Sequence, residues 1–153
     1  MIFRSTKTFN HSIGLSCAFR QWRAKSHCRY LHGYAIKVRF EFEAVKLDER
    51  NWVVDFGGLK QIKKWLEDIF DHKTLVAKDD PLLETFLEMH EAGLCDLVIL
   101  DGVGCERFAQ LIFERAEAFI RNSEYDGRVL IRLVEVSEHE GNSAIAAREG
   151  SIK

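Results

Sequence analysis

Within the segment from Tyr34 to Lys46, hydrophobic and charged residues alternate strictly from Ile36 to Glu43. A period of two is typical of a β-strand with one buried face, so we expect charged side chains such as Glu43 to point to solvent. The segment from Ile2 to Arg20 has a less regular extended pattern, with Gly14 as a candidate bulge. We expect these two segments to form an antiparallel pair joined by the loop of residues 21–33.

Apolar residues recur at helical spacing in the middle of the chain. The spacing predicts a helix from about Phe56 to Phe70, with Asp55 as its N-cap, and a second long helix from about Glu106 to Arg121. Pro81 fits the first position of a short helix between them. The brief apolar run from Leu97 to Leu100 is interpreted as an extended segment.

Two strands are predicted after the second long helix, from Val129 to Ser137 and near Ala144. Because strands and helices are segregated rather than alternating, we expect the α+β class, with an antiparallel sheet packed on helices. A sheet covered on one side leaves its edges and one face exposed, which favours a homo-oligomer. The length of 153 residues is typical of a single domain spanning residues 1–153.

Composition and charge narrow the class of partner. The formal net charge of -2, without a Lys/Arg cluster, argues against a nucleic-acid partner. The sequence has no apolar stretch of signal-peptide or membrane-spanning length, so we expect a cytoplasmic protein with no membrane partner. Its four cysteines form no CxxC pair, and we interpret them as free thiols.

Cys28 and His32 lie four residues apart, just before the alternating strand. Gly33 is expected to let the backbone turn where the loop becomes strand. A thiol beside an imidazole can act as a base or nucleophile, because the thiolate is the reactive form of cysteine. The competing interpretation is a buried thiol and a surface histidine, and the spacing alone favours it.

Two further sets of polar residues are candidates. Asp71 next to His72 can fix the imidazole tautomer for a proton relay, although a histidine is also common at a helix C-terminus and the local sequence favours that simpler interpretation. Glu135 lies in an apolar, strand-forming run. It is either a surface residue, the favoured interpretation on its own, or an inward carboxylate that binds the N–H pair of a heterocycle.

Five segments together resemble the 6-pyruvoyl- and 6-carboxy-tetrahydropterin synthase family. Cys28 to Tyr34 is similar to the family's C-x-x-x-H-G-H motif, and Val53 to Lys60 to its V-x-D-F-x-x-L-K helix start. Phe70 to Leu75 is similar to its L-D-H-x-x-L motif, and Cys105 to Ala109 to its S-E-N-x-A helix start. Val134 to Val136 falls where the family carries a late-strand glutamate. The matches come in family order along nearly the whole chain.

The resemblance implies the tunnelling fold, an antiparallel four-stranded sheet with two main helices between strands 2 and 3. It also implies a trimer or hexamer with sites at subunit interfaces. The implied activity is that of a lyase acting on dihydroneopterin triphosphate. The compact C-x-x-x-H spacing is more similar to the 6-carboxy branch, which feeds queuosine-type deazapurine synthesis, than to the 6-pyruvoyl branch, which feeds tetrahydrobiopterin.

Site residues follow from the resemblance by position. It implies that Cys28 is the general base at the substrate's side-chain carbons, and that Asp71 and His72 form the proton relay. It implies that Glu135 anchors the amino-pyrimidine edge of the pterin, with Glu106 as a second substrate-binding residue.

The family's metal site is only partly present in this sequence. Family members hold a zinc ion with three histidines, and the ion acts as a Lewis acid. Here His32 keeps one ligand position, whereas Tyr34 and Phe19 stand at the other two. Catalytic zinc normally has three protein ligands, so the sequence weighs against zinc. Replacement ligands remain open among His11, His27, Cys17 and a Tyr34 phenolate.

Two functions of different class are therefore expected. One is a lyase with a reduced or rebuilt metal site, favoured by the joint presence of Cys28, Asp71, His72 and Glu135. The other is a non-catalytic or repurposed pterin- or purine-binding protein on the same fold, favoured by the loss of metal ligands.

Overall fold

The fold is built from eight strands and three α-helices, as a computed structural model describes it for residues 1–150. The strands are β1 (Phe3–Phe9), β2 (Ser16–Phe19), β3 (His32–Ala35), β4 (Lys37–Ala44), β5 (Lys73–Ala77), β6 (Asp96–Leu100), β7 (Val129–His139) and β8 (Asn142–Ala147). The helices are α1 (Lys60–Phe70), α2 (Leu83–Glu91) and α3 (Cys105–Arg121).

The antiparallel sheet has the strand order β1-β4-β7-β8. In the chain, α1, α2 and α3 all lie between its second strand, β4, and its third, β7. Phe40 and Phe42 of β4 and Val134 and Val136 of β7 are fully buried, and they belong to one core with residues of α1 and α3 such as Phe108. The expected α+β class and the strands at both ends of the chain are confirmed.

A second sheet, with the order β3-β2-β5-β6, was not predicted. β2 pairs antiparallel with β3 and parallel with β5, and β5 pairs parallel with β6. The sequence analysis missed β5 because its residues from Thr74 to Ala77 are all buried, and a strand covered on both faces has no period of two. In this second sheet, β5 pairs alongside β2 and so supports the β2–β3 hairpin (residues 16–35) at its edge.

Several local predictions need correction. Gly14 is not a bulge: it ends a 3-10 turn at His11–Ile13 with φ 76°. Asp55 does cap a helical segment, but a 3-10 turn comes first and α1 begins only at Lys60. Pro81 lies two residues before α2, in a turn held by Asp80.

The prediction for Glu43 also needs correction, because its side chain is buried rather than exposed to solvent. It lies on the face of the antiparallel sheet that carries no helix, where its carboxylate accepts a hydrogen bond of 2.9 Å from Arg4 and lies 3.9 Å from Arg132. The period of two correctly predicted that Glu43 lies on the face of β4 opposite its large apolar residues. The neighbouring arginines, which the pattern does not identify, cover the carboxylate on that face.

The described helices include none that is long and apolar enough to cross a membrane.

Gly33 lies within β3, opposite Ala18, rather than at a turn. A Cβ atom at this position would lie 2.5 Å from the Cys17 carbonyl oxygen, which is a backbone atom and cannot move aside alone. Glycine is therefore required by the close approach of β2 and β3, and not by an unusual φ angle.

We predict that Gly33→Ala lowers the free energy of unfolding by about 1–3 kcal/mol, because the added methyl group pushes the two strands apart. Chemical denaturation measures this change. Gly141→Ala is the control, since its Cβ would meet only the exposed His139 ring at 3.2 Å, and we expect a change below about 0.5 kcal/mol. Equal effects of the two substitutions would contradict the close-approach explanation.

Candidate active site

The β2–β3 hairpin brings three aromatic rings together. Phe19 pairs with His32 in the strand register, and Tyr34 lies two residues further along β3, on the same face as His32. The ring centroids of Phe19 and His32 are 6.1 Å apart, those of Phe19 and Tyr34 are 6.1 Å apart, and those of His32 and Tyr34 are 5.4 Å apart. We call these three residues the aromatic cluster.

Cys28 is held at the end of the hairpin where β2 finishes. The Gln21 amide donates to the Cys28 carbonyl at 2.9 Å and closes the loop between the two strands. Ser26 caps the 3-10 turn at His27–Arg29 that carries the thiol, and Cys28 is half-buried. The loop that carries Cys28 thus leaves the hairpin at the end where Phe19 and His32 pair.

Glu138 is the carboxylate of this site, and the sequence analysis did not single it out. Burial raises the pKa of Tyr34, and so does the Glu138 carboxylate. Burial likewise raises the pKa of Cys105, at the start of α3, to about 12, with the charge of Glu138 as the next cause. Tyr34 and Cys105 are therefore protonated at neutral pH, and the negative charge of Glu138 acts on both.

Glu138 and Glu135 take different surroundings in β7. Val134 and Val136 face the core, whereas Glu135 points to the opposite face. The Glu135 carboxylate accepts a hydrogen bond of 2.8 Å from Ser143 and lies 3.6 Å from Arg39. Glu138 lies where the register of β7 on β8 shifts, so the alternation is interrupted there and a period-two count does not identify this residue.

Asp71 and His72 lie next to each other, as the relay requires, but away from Cys28. The His72 Nδ1 and an Asp71 carboxylate oxygen are 2.8 Å apart, and the imidazole is exposed. The His72 amide donates to the Ser16 carbonyl at 2.7 Å, at the start of β2. Cys28 follows the other end of this strand, so the single chain does not bring the thiol and the relay together.

Glu106 is exposed in the first turn of α3. It borders a cavity of about 510 Å³ that also includes Gln21, Arg23 and Arg107 among its lining residues. The Gln21 side chain donates to the Val103 carbonyl at 3.1 Å, which fixes the loop of Cys28 against the start of α3. The loop that carries Cys28 is therefore held against the segment that leads into α3 and Glu106.

The aromatic cluster does not fit a three-ligand zinc site. Phe19 has no donor atom, and burial raises the pKa of the Tyr34 phenol above its usual value. His32 Nδ1 is 2.6 Å from the Tyr30 carbonyl, so it carries the proton and leaves Nε2 as a single donor. Across residues 1–150, no three His, Cys, Asp or Glu side chains are grouped so that they could hold a metal ion.

The proposed replacement ligands lie in other surroundings. His11 contacts the Ala35 carbonyl through Nδ1, and its Nε2 lies 3.5 Å from Glu140. His27 is exposed in the 3-10 turn before Cys28. Cys17 is buried, and burial raises the pKa of its thiol to about 12.

Comparisons with known proteins point to one family. The family model described as 6-pyruvoyl tetrahydropterin synthase matches residues 8–149. A 6-carboxy-5,6,7,8-tetrahydropterin synthase of Rickettsia felis is 35% identical over 57 residues, which is 37% of this chain and 41% of the relative. The same enzyme of Rickettsia bellii is 33% identical over 67 residues, 43% of this chain and 49% of the relative. The matches thus span less than half the length of these curated relatives.

Solved structures share the fold over the whole chain. An uncharacterized protein from Wolinella succinogenes superimposes with a TM-score of 0.84 at 22% identity, covering 97% of this chain and 99% of that one. The 6-pyruvoyl tetrahydropterin synthase of Plasmodium vivax superimposes with a TM-score of 0.69 at 16% identity, covering 97% and 98%. These likenesses support the tunnelling fold expected from the sequence.

We predict that iodoacetamide at about pH 8 modifies Cys28 in the native protein and leaves Cys17 and Cys105 unmodified. A thiol with a pKa of about 12 has a thiolate fraction of about one in ten thousand at that pH, and both side chains are also buried. Peptide mass spectrometry measures the labelling. The control is protein unfolded in guanidinium, in which all four cysteines should react. Labelling of Cys105 as fast as Cys28 would show that α3 does not bury it.

Proposed function

The chain belongs to the 6-pyruvoyl tetrahydropterin synthase family, and from this premise we propose that it is a lyase of the 6-carboxy-tetrahydropterin type acting on dihydroneopterin triphosphate. The observation that carries the proposal is the half-buried Cys28, which is held at the end of the β2–β3 hairpin where Phe19 and His32 pair. A reactive thiol and a carboxylate anchor are what proton removal from a bound pterin side chain needs. Its product would enter queuosine-type deazapurine synthesis.

In this proposal Cys28 is the base. The thiolate removes a proton from a side-chain carbon of the substrate, and the Asp71–His72 pair carries protons to or from the side-chain oxygens. Asp71 orients His72 through the 2.8 Å contact to Nδ1, which leaves Nε2 free to face the substrate. No step is assigned to a metal ion, because the aromatic cluster offers one donor atom where zinc takes three ligands.

A second copy of the chain is proposed to complete the site. Cys28 and His72 are anchored at opposite ends of β2, and Ser16 and Phe19 are about 10 Å apart along that strand. The antiparallel sheet ends in β1 and β8, and neither has a partner on its outer edge within the described chain. Edge pairing in a trimer or hexamer would join these edges and place His72 of one copy near Cys28 of another.

We propose Glu138 as the anchor for the amino-pyrimidine edge of the pterin, in place of Glu135. A carboxylate binds an amino-pyrimidine through two parallel N–H···O bonds, so it has to be free and on the reacting side. Glu138 lies with Tyr34 and Cys105 on that side, whereas Glu135 is tied to Ser143 and faces away.

The second candidate function is a pterin- or purine-binding protein without catalysis. The observation that favours it is the aromatic cluster, since Phe19 and Tyr34 occupy two of the three positions where family members hold zinc. The proposed base Cys28, the Asp71–His72 pair and the Glu138 carboxylate are all present in this chain, and their joint presence favours the lyase.

We predict that the purified protein converts dihydroneopterin triphosphate under anaerobic conditions and that Cys28→Ala lowers kcat at least about 100-fold, because a positioned base contributes that much. Product analysis by mass spectrometry distinguishes 6-carboxy- from 6-pyruvoyl-tetrahydropterin. Cys95→Ala is the matched control, since Cys95 is also half-buried but lies beside His90, before β6. Intact substrate with bound pterin would favour the second function.

The same assay tests the shared site. Cys28→Ala and His72→Ala chains are inactive alone in this proposal, but co-expressed chains should recover about a quarter of the wild-type sites by random assembly. No recovery in mixed oligomers of confirmed composition would place both residues in one chain.

We predict that Glu138→Gln weakens pterin binding at least about tenfold, because the amide presents an N–H where the pterin needs an acceptor. Glu135→Gln is the matched control and should bind as the wild type does. Fluorescence titration with a non-hydrolysed pterin measures both dissociation constants. The reverse order of effects would restore Glu135 as the anchor.

A further inference from the structure

Arg20 and Asp80 form a largely buried ion pair at the end of the β2–β3 hairpin where the loop of Cys28 begins. We infer that this pair positions Cys28, because it fixes the start of that loop to the turn that follows β5. The inference rests on the proposed function, in which Cys28 is the base. Neither Arg20 nor Asp80 is assigned a contact with the substrate, so both are positioning residues.

The pair has the geometry of a guanidinium that donates two parallel hydrogen bonds to one carboxylate. Arg20 Nε donates to Asp80 Oδ2 at 2.8 Å, and Arg20 Nη2 donates to Oδ1 at 2.6 Å. The Asp80 side chain is 1% exposed and the Arg20 side chain 18%. Two parallel charge-assisted bonds fix both the distance and the angle between the groups, and burial protects them from screening by salt. The pair is therefore a rigid connection.

Asp80 is held on its own side by the turn that leads into α2. Its Oδ1 atom also accepts a hydrogen bond of 2.9 Å from the Leu82 amide. Its own amide donates to the carbonyl of Ala77, the last residue of β5, at 2.9 Å. Because β5 is itself paired with β2, Asp80 is a fixed point on the second sheet, to which Arg20 is attached.

Arg20 also contacts the turn that carries the thiol. Its Nη1 atom donates to the Arg29 carbonyl at 3.4 Å, and the next residue, Gln21, donates its amide to the Cys28 carbonyl at 2.9 Å. Two successive carbonyls of the turn are thus attached to two successive residues that follow β2. A general base has to lie at a fixed distance from the carbon that it deprotonates, and a displacement of about 1 Å can cost about 100-fold in rate. The place of the thiol therefore depends on the ion pair.

A second ion pair joins the same two segments and provides a matched comparison. Arg23 Nη2 donates to Asp79 Oδ2 at 2.7 Å, but these side chains are 67% and 46% exposed. Exposed pairs contribute little, because water and salt screen their charges. Among the hydrogen bonds of the described residues, none joins Arg23 to the turn at residues 27–29. Equivalent substitutions in the two pairs therefore separate positioning of the thiol from a general loss of charge pairing.

Labelling of the native protein tests the position of the thiol without any substrate. Arg20→Lys keeps the charge but loses the two parallel bonds, so iodoacetamide should modify Cys28 at least about threefold faster, because the turn opens more often. Asp80→Asn should have the same effect. The half-buried Cys95 is the internal reference, and Arg23→Lys is the matched control that should leave the Cys28 rate within about 1.5-fold of the wild type.

Two outcomes of the labelling overturn the inference. One is an unchanged Cys28 rate in Arg20→Lys. The other is an equal acceleration of Cys28 and Cys95, which would mean a general loss of stability. If Asp80→Asn does not fold, Arg20→Lys decides alone, since it leaves the buried carboxylate paired with a cation.

Kinetics with dihydroneopterin triphosphate extend the test to catalysis. Arg20→Lys should lower kcat at least about tenfold and leave KM within about threefold, because a displaced base slows the chemical step without removing a contact to the substrate. Arg20→Lys/Asp80→Asn should lose no more than the weaker of its two single variants, because the pair acts as a unit. A raised KM with unchanged kcat, or additive losses, overturns the positioning role. Absence of turnover by the wild type instead defeats the proposed function, and the labelling rates still decide whether the pair positions Cys28.

Discussion

Backbone contact between β2 and β3 positions the side chains of the candidate site. The two strands approach so closely that residue 33 has to be glycine, and this register sets Phe19 opposite His32 and Tyr34 opposite Cys17. The loop that joins the strands is closed by a backbone hydrogen bond at Cys28. The register thus brings the rings of Phe19, His32 and Tyr34 together, and the closed loop holds Cys28 at the same end of the hairpin.

The antiparallel sheet separates two kinds of polar residue by its faces. On the side of α3, the charge of Glu138 raises the pKa of the Tyr34 phenol and of the Cys105 thiol. On the other side, Glu43 and Glu135 are paired with arginines. A carboxylate already paired with a cation loses that partner if it binds a ligand, whereas a carboxylate without a paired cation keeps its charge available.

The candidate site is incomplete in one chain, because Cys28 and His72 are anchored at opposite ends of β2. The strand holds the thiol at one end and the His72 relay at the other, and both sheets have strands with free edges among the described residues. In the proposal, assembly pairs the edges of the antiparallel sheet and so removes their exposed backbone groups. It also brings the relay of a second copy to the thiol. Catalysis and oligomerisation would then depend on the same contacts.

Local patterns in the sequence determined much of this protein. The alternation after Tyr34, the apolar stripes of α1 and α3 and the late strand gave the α+β class, and an ordered set of motifs gave the family. These features depend on periodicity and on residues near one another in the chain. Strand β5 was not predicted, because a strand that is buried on both faces shows no alternation of apolar and polar residues.

Only the tertiary structure decided what surrounds each polar side chain. Glu135 and Glu138 are three residues apart in one strand, yet the register shifts between them, and Arg39 and Tyr34, which lie far away in sequence, give them different surroundings. Glu43 is buried for the same reason, because Arg4 comes from a neighbouring strand. Charge, burial and hydrogen bonding are properties of contacts, and long-range contacts exist only after the strands have paired.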